Sequence, residues 1–313
     1  MAFTPTKETY SGKVYPVTIG TGGSAVTFGG ENVLPFNSFE GTTPNKPVIA
    51  FEIQDVPPSD WPENVQKPYA GVSNDPVKWA KYCQDELKAK AIALRLIGTH
   101  PDRENRSPED AVKTVKDVLA AVNIPVIILG SNHAEKDAAV LVAAAEAAKD
   151  KNCIIGKAQE ANYKTIAAAA MANNHKLIAM SELDINLSKQ LNILITQMGF
   201  DKERVITDPM CSALGYGIEY TYSVMERIRL AALTQNDVTM QQPLLGDVGM
   251  YVWKVKETTA SEADLPQWGS AEERGIAWEA ETATALMIAG AGLLIMRHPK
   301  AVATVEKLIE ELI

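Results

Sequence analysis

The chain has 313 residues, 46% of them hydrophobic, enough for one large core or two small ones. Its net charge is −9, with Lys and Arg scattered rather than clustered, which argues against nucleic-acid binding. No apolar run reaches the roughly 18 residues of a membrane span.

The opening MAFTPTKETYSGKVYP has no basic stretch leading into an apolar one, so cytoplasmic placement is expected rather than a secretory leader. Residues 1–47 read as an extension. KVYPVTIG and SAVTFGG, separated by TGG, predict a β-hairpin, and GGENVLPFNSFEGTTPNKP reads as a connector. A lid over the bottom of a larger fold is its natural use. From residue 48 a rhythm begins. Apolar runs recur at VIAFEI (48–53), AIALRLIG (91–98), PVIILG (125–130), CIIGKA (153–158), KLIAMS (176–181), RVITDP (204–209), VTMQQPLLGD (238–247) and GLLIMRH (292–298). They lack clean alternation, as strands covered on both faces do. Amphipathic helices separate them. One starts at Asn74-Asp75-Pro76, with proline just inside a polar cap. Another starts at Ser107-Pro108 with Asp110 three residues after the cap, and carries the stripe Ala111, Val112, Val115, Val118, Leu119 and Val122. A third stops at Gly199. Eight strand–helix units in residues 48–313 predict a TIM (β/α)8 barrel, a fold of about 250 residues. A doubly wound sheet is the alternative, and it lacks a G-x-G-x-x-G after the first strand.

In such a barrel, chemistry sits where strands end. Those positions are Glu52 and Asp55; Gly98, Thr99 and His100; Gly130, Ser131 and Asn132; Gly156, Lys157 and Gln159; Ser181, Glu182 and Asp184; Asp208, Pro209 and Cys211; Gly246 and Asp247; Arg297 and His298. Each has a plain reading. Asp208 could grip a ligand N–H, cap a helix or tie the rim together. Lys157 is either a Schiff-base lysine or a rim lysine reaching solvent. His100 and His133 either line one cavity or bond their own loops. The three cysteines (Cys83, Cys153, Cys211) contain no C-x-x-C pair and fall short of the roughly four thiolates of an iron–sulfur cluster. The four histidines show no zinc spacing. No nucleophile–base–orienter set is legible, which points to a binding module. The segment GYGIEYTY is the exception: its tyrosines Tyr216, Tyr220 and Tyr222 offer flat faces for a planar cofactor or a protein partner.

Three stretches carry a family resemblance: GGENVLPFNSFEG (29–41), ANYKTIAAAAMANNHKLIAMSELDINLSKQLNILITQMGF (161–200) and RVITDPMCSALGYGIEYTYSVMERIRLAAL (204–233). They resemble the small subunit of the corrinoid iron–sulfur protein, whose archaeal form is the acetyl-CoA decarbonylase/synthase delta subunit. The resemblance implies a non-catalytic or cofactor-capping barrel, paired with a large subunit that alone carries a 4Fe–4S cluster. Between them they would hold a cobamide. That cofactor takes methyl from methyltetrahydrofolate through a separate methyltransferase and passes it to acetyl-CoA synthase/CO dehydrogenase in the reductive acetyl-CoA pathway. Candidate cobamide-contacting residues are positional: Gly98, Thr99, Asn132, Gln159, Ser181, Asp184, Asp208, Tyr216 and Arg297. Many relatives read D-P-T-T-G where this chain has Asp208-Pro209-Met210-Cys211-Ser212, so two hydroxyls are replaced. A stand-alone pterin-dependent methyltransferase is the alternative, and a lysine aldolase built on Lys157 a third reading.

Overall fold

The computed structural model describes residues 6–313; the first five residues of the expected 1–47 extension lie outside that range. Two short strands, β1 (Val17–Ile19) and β2 (Val26–Phe28), pair antiparallel with Val17 opposite Phe28. Eight more close a parallel barrel. They are β3 (Val48–Gln54), β4 (Ala91–Arg95), β5 (Val126–Leu129), β6 (Ile154–Ala158), β7 (Lys176–Met180), β8 (Val205–Asp208), β9 (Leu244–Gly246) and β10 (Ala291–Met296). β10 pairs with β3 to close the ring, and the seam between β8 and β9 is the thinnest, with Thr207 opposite Leu244.

The TIM barrel is therefore present, with its hairpin extension. Most of its strands are shorter than the apolar runs, while β3 extends one residue past its run to Gln54. The weakest run, 238–247, yields a strand of three residues. Helix ends follow their sequence signals. Asp75 accepts the N–H groups of Val77 and Lys78. Ser107 and Asp110 form a reciprocal capping box on Pro108–Ala121. The helix Ile185–Gln197 ends just before Gly199, whose φ of 90° is left-handed and costs glycine little.

Two apolar clusters divide the core. One lies between the sheet and the helices, where Ile49, Phe51, Ile92 and Leu94 meet Val115, Val118 and Leu191. The second fills the barrel's interior with Val48, Ala50, Ala91, Ala93, Ile127, Leu129, Ile154, Ile178, Ile206, Leu245, Leu293 and Ile295. Val17, Ile19 and Phe28 of the hairpin belong to this inner cluster, so the hairpin plugs the N-terminal end of the barrel. Burying Phe28 alone contributes about 1.5–3 kcal/mol. Polar bonds fix the plug: Asn152 Nδ2 donates to the carbonyls of Thr18 (3.1 Å) and Gly20 (2.9 Å). Gly20, at φ 77°, sits so close to Pro125 that a Cβ would lie 2.6 Å from its Cγ. Among the described residues, no helix is long and apolar enough to cross a membrane.

Candidate functional site

Side chains of a strand alternate faces, so the residue two places beyond an interior one also points inward. At the bottom of the barrel those interior positions are apolar. At the mouth they are charged: Ala50 is followed inward by Glu52, Ala93 by Arg95, Ile206 by Asp208, Leu245 by Asp247 and Ile295 by Arg297. Lys157 joins them from β6, where the pairing with β7 shifts register between Ile155 and Ala158. All six are buried.

They form one chain of alternating sign. Arg297 Nη2 donates to Glu52 Oε1 at 2.8 Å. Arg95 donates through Nε to the same oxygen at 3.1 Å and through Nη2 to both oxygens of Asp247 at 2.9 Å. Lys157 Nζ donates to Asp247 Oδ2 at 2.7 Å and lies 2.8 Å from Asp208 Oδ2. The last contact is close but misaligned for a hydrogen bond, leaving Asp208 Oδ2 without a formal donor. Three cations and three anions cancel, which makes burial of so much charge tolerable.

The balance is uneven. Burial works against the Asp247 carboxylate, but Arg95 and Lys157 outweigh it and hold its carboxyl well below the usual range. Burial likewise opposes Glu52, and Arg297 with Arg95 overcomes it and holds the group low. For Lys157, burial disfavours the ammonium, yet Asp208 and Asp247 raise its pKa far above the ordinary lysine value. A lysine held so firmly protonated is a poor nucleophile, so neither the Schiff-base reading nor the rim lysine describes this residue.

Neighbouring groups fix the layer in place. The Arg297 guanidinium stacks on Trp61, 4.4 Å from the ring centroid, and Trp61 packs edge-on against Trp79. The Tyr69 hydroxyl donates to the Arg297 carbonyl. Glu279, from the helix Ala271–Ile288, accepts the backbone N–H of Arg297 and of His298 at 2.6 and 2.9 Å. Burial pushes its carboxyl up to about 7. Asp55 accepts the Gly98 N–H at 2.9 Å and is pushed up to about 6, again chiefly by burial. Several donors and acceptors near the mouth have no hydrogen-bond partner among the described residues: Gln54 Oε1, Ser181 Oγ, Arg95 Nη1 and Arg297 Nε.

Comparison with known proteins follows the same boundaries. The family model described as CO dehydrogenase/acetyl-CoA synthase delta subunit matches residues 16–308. The chain belongs to that family. The acetyl-CoA decarbonylase/synthase complex subunit delta of Methanothermobacter thermautotrophicus is 34% identical, over 96% of this chain and 76% of its own length. That of Methanocaldococcus jannaschii is 35% identical over 96% and 73%. Subunit delta 1 of Methanosarcina thermophila is 36% identical over 94% and 67%. Among solved structures, a dihydropteroate synthase of Xanthomonas albilineans aligns at TM-score 0.56 and 14% identity, covering 89% of this chain and 97% of that one. The enzyme from Yersinia pestis aligns at 0.54 and 16%, covering 85% and 92%. At these identities the likeness concerns the barrel fold alone.

Within this delta-family barrel the expected site residues do not all meet. Asp208 and Arg297 belong to the buried charge layer. Ser181 is buried beside Asp208, its N–H donating to the Asp208 carbonyl at 3.0 Å. Gln159 is half-buried, and its side-chain nitrogen reaches only Met180 Sδ, at 3.9 Å. Asn132 is exposed on a left-handed turn, φ 69°. Gly98 and Thr99 are buried, and the Thr99 hydroxyl is spent on the Leu96 carbonyl. Asp184 caps the helix Ile185–Gln197. Tyr216 is half-exposed, and its hydroxyl accepts the Lys256 N–H. Tyr220 is more exposed still, at 65%, while Tyr222 packs on the core. His100 and His133 do meet, edge to face at 5.5 Å, but each Nδ1 accepts a backbone N–H of its own turn. In the Met210-Cys211-Ser212 stretch, Met210 N–H donates to Asp208 Oδ1, and Ser212 N–H to Thr221 Oγ1.

Of the charged participants, Arg95 and Glu279 were not singled out from sequence, nor were the aromatic supports Trp61 and Tyr69. Arg95 had a signal: a single charge inside an otherwise apolar run, AIALRLIG. Glu279 sits mid-helix among other acidic residues, and nothing in its spacing marks it.

Proposed function

We propose that this chain is the barrel subunit of a corrinoid methyl carrier of the reductive acetyl-CoA pathway, helping to hold and cap a cobamide rather than catalysing a reaction itself. Membership of the delta-subunit family over residues 16–308 carries this reading. The mouth suits the group. Its interior is filled by a self-neutral layer, so a broad planar ring can lie across it but not enter. A corrin edge carries carboxamides, which both donate and accept, and Gln159, Asn132 and the unpartnered Ser181 Oγ offer partners of both kinds. When bound, the cobalt supplies the centre that accepts and donates methyl. This chain's own residues would orient the ring and keep water from it.

The partners in this reading are a large subunit carrying a 4Fe–4S cluster, the methyltetrahydrofolate-dependent methyltransferase, and acetyl-CoA synthase/CO dehydrogenase. A stand-alone pterin methyltransferase fits less well, because the carboxylates that would grip a ring, Asp208 and Asp247, are already paired with Lys157. Affinity purification of the tagged chain from its source, with cobalt and iron analysis, tests the proposal. A red-brown complex holding a second, cysteine-rich chain supports it. A colourless monomer that transfers methyl unaided overturns it.

A further inference from the structure

The six charges of the mouth are not equally held. Glu52 has two guanidiniums, from Arg95 and Arg297. Asp247 has Arg95 on both oxygens and Lys157 besides. Asp208 ends the chain with part of one ammonium, approached off-axis and already bonded to Asp247. Its other oxygen, Oδ1, accepts the Met210 N–H at 2.9 Å. The charged and titratable groups facing it are Lys157 from β6, Asp247 from β9 with Arg95 behind it on β4, the Cys211 thiol from the loop after β8, and the Tyr251 phenol from the turn of helix after β9. From β7 its neighbour is the uncharged Ser181. Burial raises both Cys211 and Tyr251, the latter to about 12, so both stay neutral.

We propose that Asp208 is the proton-exchanging end of this network, so that the mouth passes between a self-neutral layer and one bearing a single positive charge centred on Lys157. The proton goes to Oδ2, the oxygen with no aligned donor. Glu52 and Asp247 remain ionised throughout, because each faces two cations. The carboxyl's direction agrees: burial raises it first of all, Lys157 pulls it back, Asp247 raises it again, and the net is upward. The switch stands on this chain alone, whether or not a cobamide lies over the mouth. It sets the charge presented to any flat ligand or partner surface placed there.

The test is a pH titration of the full chain carrying 13C-carboxyl aspartate, followed by NMR. Asp208→Asn identifies the Asp208 resonance by deleting it, and Asp55→Asn separates the other high-titrating candidate. The Asp208 signal is expected to titrate on its own, above the ordinary aspartate range, while Asp247 stays ionised to the acid limit of the folded chain. Should Asp208→Asn fail to fold, Asp208→Glu, which keeps the charge and removes the labelled carboxyl, identifies the resonance instead; in Lys157→Met, losing the shared ammonium must move that resonance to still higher pH. The proposal falls if the Asp208 signal keeps its ionised shift to the acid limit, if Asp208 and Asp247 titrate together, or if Lys157→Met leaves the signal where it was.

Discussion

At the bottom of the barrel, Ile127, Ile154, Ile206 and Ile295 fill the interior and the β1–β2 hairpin seals it. Towards the strands' C-terminal ends, the interior is filled instead by Glu52, Arg95, Lys157, Asp208, Asp247 and Arg297. Both layers are out of water, yet they are held differently. The apolar layer is non-directional, and each side chain contributes roughly in proportion to the surface it hides. The charged layer is directional and mutual: every member is tolerable only because its neighbours are present. The bottom holds the barrel shut, and the mouth fixes a pattern of charge at the end where barrels do their work.

The most severe way to break this contrast is Arg95→Met. It leaves Glu52 and Asp247 short of a cation in a buried setting, and a loss of about 3–5 kcal/mol is expected in urea unfolding at neutral pH. A loss under ~1 kcal/mol would mean that water reaches the layer. At the bottom, Ile127→Ala is expected to cost about 2–5 kcal/mol through lost burial and the cavity left behind. That cost should be the same at pH 7 and pH 5, since no titrating group is near.

Acidification sharpens the difference further. Glu52 and Asp247 have folded pKa values below their unfolded ones. Their stabilisation is complete above the ordinary carboxylate value of about 4, and it drains away as pH falls from there through the depressed folded values. The wild-type chain and Ile127→Ala should therefore lose stability in parallel below about pH 4. Arg95→Met should lose less, because much of that contribution is already gone; parallel curves for all three would locate the acid sensitivity elsewhere. The smallest effect belongs to neither layer. Ser107→Ala deletes half a capping box on an exposed helix start and should cost about 1 kcal/mol, independent of the mouth.

The fold was largely legible because its signals are local. Eight apolar runs, the Ser107-Pro108 start and the Gly199 stop each depend on a few adjacent residues. The mouth was half legible. Glu52, Lys157, Asp208, Asp247 and Arg297 could be named as strand ends, because a charge directly after an apolar run is visible in one dimension. That they touch could not be read, because Arg297 and Glu52 are 245 residues apart and meet only when β10 closes on β3. Lys157 was hardest. Counting in twos from Ile154 turns Lys157 outward, and it enters the barrel where the β6–β7 pairing becomes irregular between Ile155 and Ala158. The tyrosine loop was legible only as composition: Tyr216 and Tyr220 are exposed and Tyr216 is bonded to the Lys256 backbone, an arrangement set by contacts 40 residues apart that one dimension does not show.

The hairpin plug has a consequence in time as well as space. Gly12 N–H donates to the Leu233 carbonyl, Tyr15 N–H to Gln241 and Gly20 N–H to Asn152. The hairpin and the segment leading into it thus have their partners among residues that lie far later in the chain. The inner cluster they seal includes Leu293 and Ile295, near the far end of the chain. The plug therefore precedes most of the barrel it seals, and its apolar contact is complete only once Leu293 and Ile295 are in place. Seating of the N-terminal hairpin reports that barrel synthesis and closure are complete.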